Sequence, residues 1–205
     1  MSANHIAVMA SGKGSNLKAI LQAAERGECP VDVRLVISDK ADAPALKVAK
    51  DAGVADVLFL NPKDYPDRTA FDAACAEAIE QAGCQWIVLA GYMRILSDEF
   101  IARFKNRIIN IHPALLPSFP GAHAVRDALA YGARITGVTV HLVDEVVDGG
   151  PILAQVSVPV QSDDTEESLH NRIHATEHQL YPETLKRMIE GKFSIEDRRA
   201  VWKEI

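Results

Sequence analysis

The sequence predicts an α/β fold in which helices cover both faces of a mostly parallel central sheet, which makes three layers. Two observations support this prediction. In the first half, short apolar runs alternate with helical patterns, as in parallel strands joined by crossover helices. The runs are rich in Val, Ile and Leu, which is typical of strands buried on both faces. Two later strands with fewer helices between them indicate a mixed edge.

Glycine and proline mark the ends of the predicted elements in the first half. Pro44 is compatible with the first turn of a helix, and Gly53 and Gly83 favour helix ends. Ser97, followed by two acidic residues, is a predicted N-cap of a short helix. The predicted strands are residues 5–10, 31–38, 57–60 and 86–90, and the predicted helices are residues 16–26, 43–52 and 69–82.

Proline also shapes the second half. Pro182 is predicted to break or kink a long helical segment that Thr165 caps. A loop with three prolines must fold back on itself, so we expect a cis peptide bond before Pro117. The predicted strands are residues 108–111, 136–143 and 152–160, and the predicted helices are residues 123–131 and 165–191. The tail from residue 193 is amphipathic and allows no assignment.

Length and composition favour one cytoplasmic domain over residues 1–205, in which hydrophobic residues make up 48%. The charge balance of 22 − 28 = −6 argues against a nucleic-acid-binding surface. Cys29, Cys75 and Cys84 have neither zinc nor redox spacing, so we interpret them as reduced thiols. No apolar run is long enough to span a membrane. We therefore expect small-molecule partners, with no nucleic acid and no membrane, and the sequence leaves a homodimer open.

The segment 107–121, RIINIHPALLPSFPG, places an amide and an imidazole at the end of a buried strand. Asn110 and His112 are two positions apart, so both side chains point to one face, and Pro113 ends the strand. Ligands of open α/β sheets bind at this carboxyl end. The pair could stabilise an oxyanion, and the imidazole could move a proton. The alternative is two ordinary polar residues at a strand end.

The loop SGKGSN, between the first strand and the first helix, is a candidate phosphate site. Gly14 lets backbone N–H groups approach an anion, and the helix N-terminus favours negative charge. The third glycine of a dinucleotide fingerprint is replaced by Leu17, which favours a single phosphate over a pyrophosphate. An ordinary strand-to-helix turn is the alternative interpretation.

Other charged residues have both a functional and an ordinary interpretation. Asp148, in the glycine-containing loop DEVVDGGP, could favour the charged form of His112, or could lie in a surface turn. Arg68 and Arg94 could each bind a carboxylate, or could be surface charges. Three histidines spaced four apart on the last long helix could bind a metal, but no partner ligand is evident, so we expect no metal: His170, His174 and His178.

Five motifs occur in an order that resembles the phosphoribosylglycinamide formyltransferase family, the folate-dependent enzymes of purine synthesis. They are SGKGSNL, AGYMRILS, INIHPALLPSFPG, GVTVHLVDEVVDGGPI and TEHQLYP, and the resemblance extends from Ile6 to about Gly191. It implies a Rossmann-like formyltransferase fold with an antiparallel edge to the sheet. Many members have a second histidine after the FPG turn, where this chain has Val125.

The resemblance implies roles for residues at the matching positions. The implied catalytic residues are Asn110, His112 and Asp148. Implied substrate-binding residues are Gly14, Ser15, Asn16 and Glu177. The implied contacts to 10-formyltetrahydrofolate, the co-substrate, are Arg68, Met93, Arg94, Ile95, Leu96, Val143 and Asp144.

The implied reaction transfers a formyl group from 10-formyltetrahydrofolate to the amine of phosphoribosylglycinamide. Asn110 and protonated His112 would stabilise the tetrahedral oxyanion, and Asp148 would keep His112 charged and help to move a proton. Three alternatives have the same motifs or part of them. A 10-formyltetrahydrofolate hydrolase would use water as acceptor, a transfer-RNA formyltransferase would need an RNA-binding domain, and a nucleotide sensor would need only the SGKGSN loop.

Overall fold

The computed structural model of the protein describes residues 4–191 and 193–202. The chain forms two compact units, Met1–Ile109 and Asn110–Ile205. The boundary between them falls inside a single strand, Ile108–His112. The prediction of one formyltransferase domain over residues 1–205 stays a prediction.

The first unit is built on parallel strands, as the sequence predicts. Its elements are β1 (His5–Met9), α1 (Ser15–Glu25), β2 (Asp32–Ser38), α2 (Pro44–Asp51), β3 (Asp56–Phe59), a 3₁₀ turn (Pro62–Asp64), α3 (Arg68–Gln81), β4 (Trp86–Leu89) and α4 (Asp98–Arg103). The strand order is β3-β2-β1-β4, with parallel pairing between these neighbours. In β1, Ile6 to Met9 have no exposed surface, because the strand is covered on both faces.

Local sequence accounts for the ends of the helices in this unit. Ser97 caps α4, since its hydroxyl accepts a hydrogen bond from the Phe100 N–H at 3.4 Å. Gly53 and Gly83 follow α2 and α3 with φ of 75° and 68°, a conformation that glycine adopts without a steric cost. These three predictions are confirmed.

The second unit continues from β5 (Ile108–His112) and contains the mixed edge. Its further elements are α5 (Ala124–Tyr131), β6 (Ile135–Leu142), β7 (Ile152–Pro159), α6 (Glu166–Ile189), β8 (Phe193–Glu196) and β9 (Arg199–Trp202). The strand order is β5-β6-β7-β9-β8, with antiparallel β6–β7 and β8–β9 pairs. The predicted mixed α/β class, mostly parallel with an antiparallel edge, is confirmed. No helix in the described residues is long and apolar enough to cross a membrane.

Proline has two different effects in this unit. The first predicted alternative at Pro182, a break, is wrong, because α6 continues through this buried residue to Ile189. The second alternative, a kink, stays a prediction. Packing of α6 against β6 and β7 explains the continuity, since its apolar face includes fully buried Leu169 and Ile173. The predicted capping by Thr165 is confirmed and forms a capping box. The predicted cis bond at Leu116–Pro117 is also confirmed.

Candidate active site

His112 ends β5 and faces two hydrogen-bond acceptors in the second unit. Its Nε2 lies 2.8 Å from the carbonyl oxygen of Phe119, so the N–H at Nε2 donates to that oxygen. Its Nδ1 lies 3.4 Å from Oδ2 of Asp148. Only 4% of His112 is exposed. The predicted proximity of Asp148 to the imidazole is therefore present, and both ring nitrogens face oxygen atoms.

Asp148 lies in the loop between β6 and β7, in a backbone conformation that is rare for residues other than glycine. Its φ is 54°. The following turn is tight, because a Cβ on Gly150 would lie 1.9 Å from the carbonyl oxygen of Leu142. The carboxylate Oδ2 accepts a hydrogen bond of 2.7 Å from the Gly121 N–H. This bond joins the loop to the turn after the prolines.

His141 completes the cluster and is the residue that sequence analysis missed. It is 1% exposed on β6, and its Nδ1 donates to the Leu142 carbonyl at 2.8 Å. A ring with its proton on Nδ1 accepts through Nε2 from the Asn110 amide at 3.2 Å. The same Nε2 lies 3.7 Å from Oδ1 of Asp148. His141 therefore joins Asn110 to Asp148, and the predicted trio of Asn110, His112 and Asp148 lies in one cluster.

Burial and charge act in opposite directions on this cluster. Burial lowers the pKa of His112 below its ordinary value, although the Asp148 carboxylate and the Phe119 carbonyl partly oppose this. For Asp148, burial alone would raise the pKa, but contacts with His141, the Gly121 N–H and His112 together hold the pKa below its usual range. The carboxylate favours the imidazolium as predicted, but in the free protein burial outweighs it.

The proline loop is attached to β6 by a threonine. The Thr139 hydroxyl donates to the Ala114 carbonyl at 2.7 Å and accepts from the Leu116 N–H at 3.0 Å. Gln155 on β7 donates to the Leu116 carbonyl at 2.9 Å. Thr139 lies two residues before His141, on the same face of β6. One face of this strand thus holds both the loop and the cluster.

The candidate phosphate loop lies in the first unit, at the start of α1. Gly14 is the N-cap residue with φ of 74°, and as a glycine it makes no side-chain cap hydrogen bond. Ser15 begins the helix and Asn16 is 8% exposed. A Cβ on Gly14 would lie only 2.8 Å from Cα of Ala45. The absence of a side chain at Gly14 is thus needed for contact with α2. Its predicted role in the approach of an anion stays a prediction.

The candidate folate segment, residues 93–96, is attached at both ends within the first unit. The Met93 N–H donates to the Ser11 hydroxyl at 2.9 Å, and the Ser97 N–H donates to Oδ2 of Asp72 at 2.6 Å. Met93 and Ile95 are 67% and 61% exposed, whereas Leu96 is 5% exposed. Such exposed apolar side chains on an anchored segment could contact a ligand.

The remaining predicted residues are divided between the two units. Arg94 stacks over the Phe71 ring at 4.8 Å, and Arg68 is an exposed residue that begins α3. Val143 and Asp144 follow β6 and are half-buried. Glu177 on α6 is 4% exposed, and its Oε2 lies 3.9 Å from Nε2 of His174. In the described part of the chain, no group of three or more His, Cys, Asp or Glu could hold a metal ion.

Sequence relatives identify the family of the chain. The family model described as formyl transferase matches residues 4–185. Phosphoribosylglycinamide formyltransferase of Mycobacterium tuberculosis (strain ATCC 25618 / H37Rv) is 48% identical over 175 residues, which are 85% of this chain and 80% of the relative. The trifunctional purine biosynthetic protein adenosine-3 of Gallus gallus is 40% identical over 97% of this chain. The chain spans only 20% of the length of that protein, and 14% of the Drosophila melanogaster protein of the same name.

Solved structures give the same result. Glycinamide ribonucleotide transformylase 1 from Symbiobacterium toebii has a TM-score of 0.96 at 47% identity, over 98% of this chain and 95% of that chain. A formyltetrahydrofolate deformylase from Pseudomonas syringae pv. tomato has a TM-score of 0.87 at 26% identity, over 99% of this chain and 67% of that chain.

Polar side chains at the carboxyl end of a buried strand are typical of α/β proteins that bind small ligands at this end of the sheet. More particularly, the chain belongs to the formyl transferase family. The predicted resemblance and the Rossmann-like formyltransferase fold are thereby confirmed.

Proposed function

We propose that the protein transfers the formyl group of 10-formyltetrahydrofolate to the amine of 5'-phosphoribosylglycinamide in de novo purine biosynthesis. One observation carries the proposal: in a member of the formyl transferase family, His112 contacts Asp148 directly, and His141 joins Asp148 to Asn110. The names of relatives at 40% to 48% identity support the choice of acceptor.

The proposed chemistry uses the cluster to stabilise negative charge. The neutral amine attacks the formyl carbon, and the oxygen of the tetrahedral intermediate accepts hydrogen bonds from Asn110 and protonated His112. Both ring nitrogens of His112 face acceptors in the free protein, so the oxyanion would replace the Phe119 carbonyl as acceptor of the Nε2 proton. The bond from carbon to N10 of the folate then breaks, and the proton lost by the amine reaches N10 with the help of Asp148.

The phosphate, the glycinamide part and the folate would each contact a different set of residues. The substrate phosphate would accept hydrogen bonds from the backbone N–H groups of Gly14, Ser15 and Asn16, at the start of α1. Glu177 would contact the glycinamide part. The folate would contact Arg68 and Arg94, the segment Met93, Ile95 and Leu96, and the residues Val143 and Asp144.

A hydrolase with the same cluster is the second candidate, because the chain is also similar to a formyltetrahydrofolate deformylase. The two candidates differ in the acceptor. Water needs no phosphate anchor, whereas a transferase gains from holding the amine in place, which can supply up to about 7–11 kcal/mol of the barrier.

A spectrophotometric assay of tetrahydrofolate release tests the proposal. Release should depend strongly on phosphoribosylglycinamide, inorganic phosphate should compete weakly, and glycinamide without the ribose phosphate should be a far poorer acceptor. Release at full rate with no amine present would contradict the transferase and favour the hydrolase.

A further inference from the structure

The C-terminal hairpin, β8 and β9, contacts the loop that contains Asp148. The family model ends at residue 185, so the hairpin lies beyond the matched part. A guanidinium N–H of Arg198, in the turn of the hairpin, donates to the carbonyl oxygen of Gly149, next to Asp148. Asp148, Arg198 and Arg199 line one cavity of about 500 Å³. The hairpin therefore touches the backbone beside a candidate catalytic carboxylate.

The hairpin is itself held against the strand that follows this loop. β9 pairs in parallel with β7 through Ile152 and Arg199. The Trp202 indole N–H donates to the Leu153 carbonyl at 3.1 Å, and the Arg187 guanidinium stacks on the Trp202 ring at 4.1 Å. These contacts fix the register of the hairpin, so Arg198 is presented from a defined position.

The loop has little packing of its own to fix its backbone. Val146 and Val147 at its tip are 61% and 55% exposed. Asp148 has a φ of 54°, a conformation that the surrounding contacts must maintain. The hydrogen bonds to this turn include Gly149 N–H to the Val146 carbonyl at 2.9 Å and Gly121 N–H to Asp148 at 2.7 Å. A further bond to Gly149 thus acts where the backbone needs support.

We propose that Arg198 is a positioning residue, which acts through the Gly149 carbonyl to hold Asp148 and thereby aim its carboxylate at His112. A charged donor suits this task, since its hydrogen bond to a carbonyl is stronger than that of a neutral donor. The inference rests on the proposed function for the role of Asp148 in proton transfer. In the described residues, the hydrogen bond of Arg198 is to the Gly149 carbonyl, whereas the His112 ring contacts Phe119 and Asp148.

Turnover of the full chain gives the first test. Arg198→Ala should lower kcat roughly 10- to 100-fold, the size expected for a misplaced catalytic group. The KM of each substrate should change less than about threefold. The reason is that the variant keeps the contacts that bind the ground state and the transition state equally. Arg198→Lys should recover part of the loss. Arg199→Ala, which removes an exposed arginine of the same cavity, is the matched control and should keep wild-type turnover.

The titration of His112, followed by nitrogen NMR, is the second readout, which a merely structural role would not change. The Asp148 carboxylate raises the His112 pKa. Displacement of this carboxylate in Arg198→Ala should therefore lower the titration midpoint of His112, while Arg199→Ala should leave that midpoint unchanged. Identical midpoints and identical turnover in the two variants would overturn the inference.

Coupling to Asp148 separates this inference from the proposed function. In an Asp148→Ala background, Arg198→Ala should cause no further loss of turnover, because two residues that act as a unit are not additive. An equal loss in both backgrounds would show that Arg198 acts elsewhere and would overturn the inference. If Asp148→Ala alone keeps wild-type turnover, the proposed role of Asp148 fails, while a lowered His112 midpoint in Arg198→Ala still supports the positioning contact.

Discussion

At the scale of single residues, the candidate site combines a buried imidazole with a carboxylate that opposes the effect of burial. Burial lowers the pKa of His112, and Asp148 limits that decrease. The ring is thus neutral more readily than a solvated imidazole, but can be protonated when negative charge develops nearby. This is the balance that an oxyanion-stabilising group needs near neutral pH.

The first prediction concerns the two proposed oxyanion donors. Asn110→Ala and His112→Ala should each lower kcat roughly 100-fold or more, the usual cost of removing one such donor. Substrate binding, measured by calorimetry, should change much less than turnover. His5→Ala, at the amino end of β1, serves as the control and should keep its activity. Turnover near that of the wild type in both site variants would contradict the assignment.

Sequence reasoning found part of this site and missed the rest for a physical reason. Asn110 and His112 were predictable because their spacing of two and the following proline place them on one face at a strand end. His141 lies in the apolar run GVTVHL, where a histidine is typical of an ordinary buried residue. Its spacing of two from Thr139 was the available signal, but only the tertiary contacts show that it joins Asn110 to Asp148.

At the scale of elements, the glycine at the start of α1 has one predicted role and one observed role. The sequence predicts that Gly14 makes room for a phosphate. The structure adds contact with α2, since the space that a side chain would occupy is filled by Ala45. A bulky substitution at Gly14 therefore cannot separate loss of the phosphate site from loss of helix packing.

The second prediction uses the two glycines at the ends of α1. Gly27→Ala should lower the free energy of unfolding by about 1–2 kcal/mol, because a Cβ is disfavoured at its φ of 72°. Gly14→Ala should lower it further, because its Cβ would also lie 2.8 Å from Cα of Ala45, whereas nothing lies within 4 Å of a Cβ on Gly27. Urea unfolding of both variants measures the difference. Equal losses of unfolding free energy would show that α2 moves away from the added Cβ without an energetic cost.

Elements were predicted well where local signals agreed, and less well where tertiary packing decided. The glycines that follow helices and the N-caps Ser97 and Thr165 predicted the helix ends to within one or two residues. The predicted break at Pro182 is absent, because packing of α6 on the sheet stabilises a helix that local propensity would interrupt. The amphipathic tail allowed no assignment by itself, because β9 is a strand through its pairing with β7 and β8.

At the scale of the whole molecule, stability depends on pH through buried groups whose pKa values are shifted in opposite directions. The His112 pKa is lowered, so this group contributes stability that is lost as pH falls below its ordinary value of 6.5. The pKa of Asp72 is shifted in the opposite direction. Burial raises its pKa above the ordinary value of 3.8, more than the Ser97 N–H bond and the nearby Arg94 and Arg68 lower it. Asp72 is 1% exposed, and its carboxyl group accepts the Ser97 N–H at the end of the candidate folate segment.

The last prediction follows from the sign of the Asp72 shift. When the folded pKa lies above the unfolded pKa, the folded protein binds more protons between the two values, so its free energy of unfolding decreases as pH rises through that interval. The slope is at most about 1.4 kcal/mol per pH unit for one proton. Asp72→Asn removes this titration and keeps an amide oxygen that can accept from the Ser97 N–H. Relative to this variant, the wild type should therefore lose stability as pH rises from 3.8, and the difference should level off above the folded pKa.

Urea unfolding of both proteins at a series of pH values measures this difference. Asp42→Asn, at an exposed position before α2, is the matched control for the chemical change from carboxyl to amide. A wild type that gains stability relative to Asp72→Asn over the same interval would mean that the Ser97 N–H and the two arginines outweigh burial. In that case the segment 93–97 would be held by an ionised Asp72 at low pH as well, and protonation of this carboxyl group would weaken the attachment instead of relieving a buried charge.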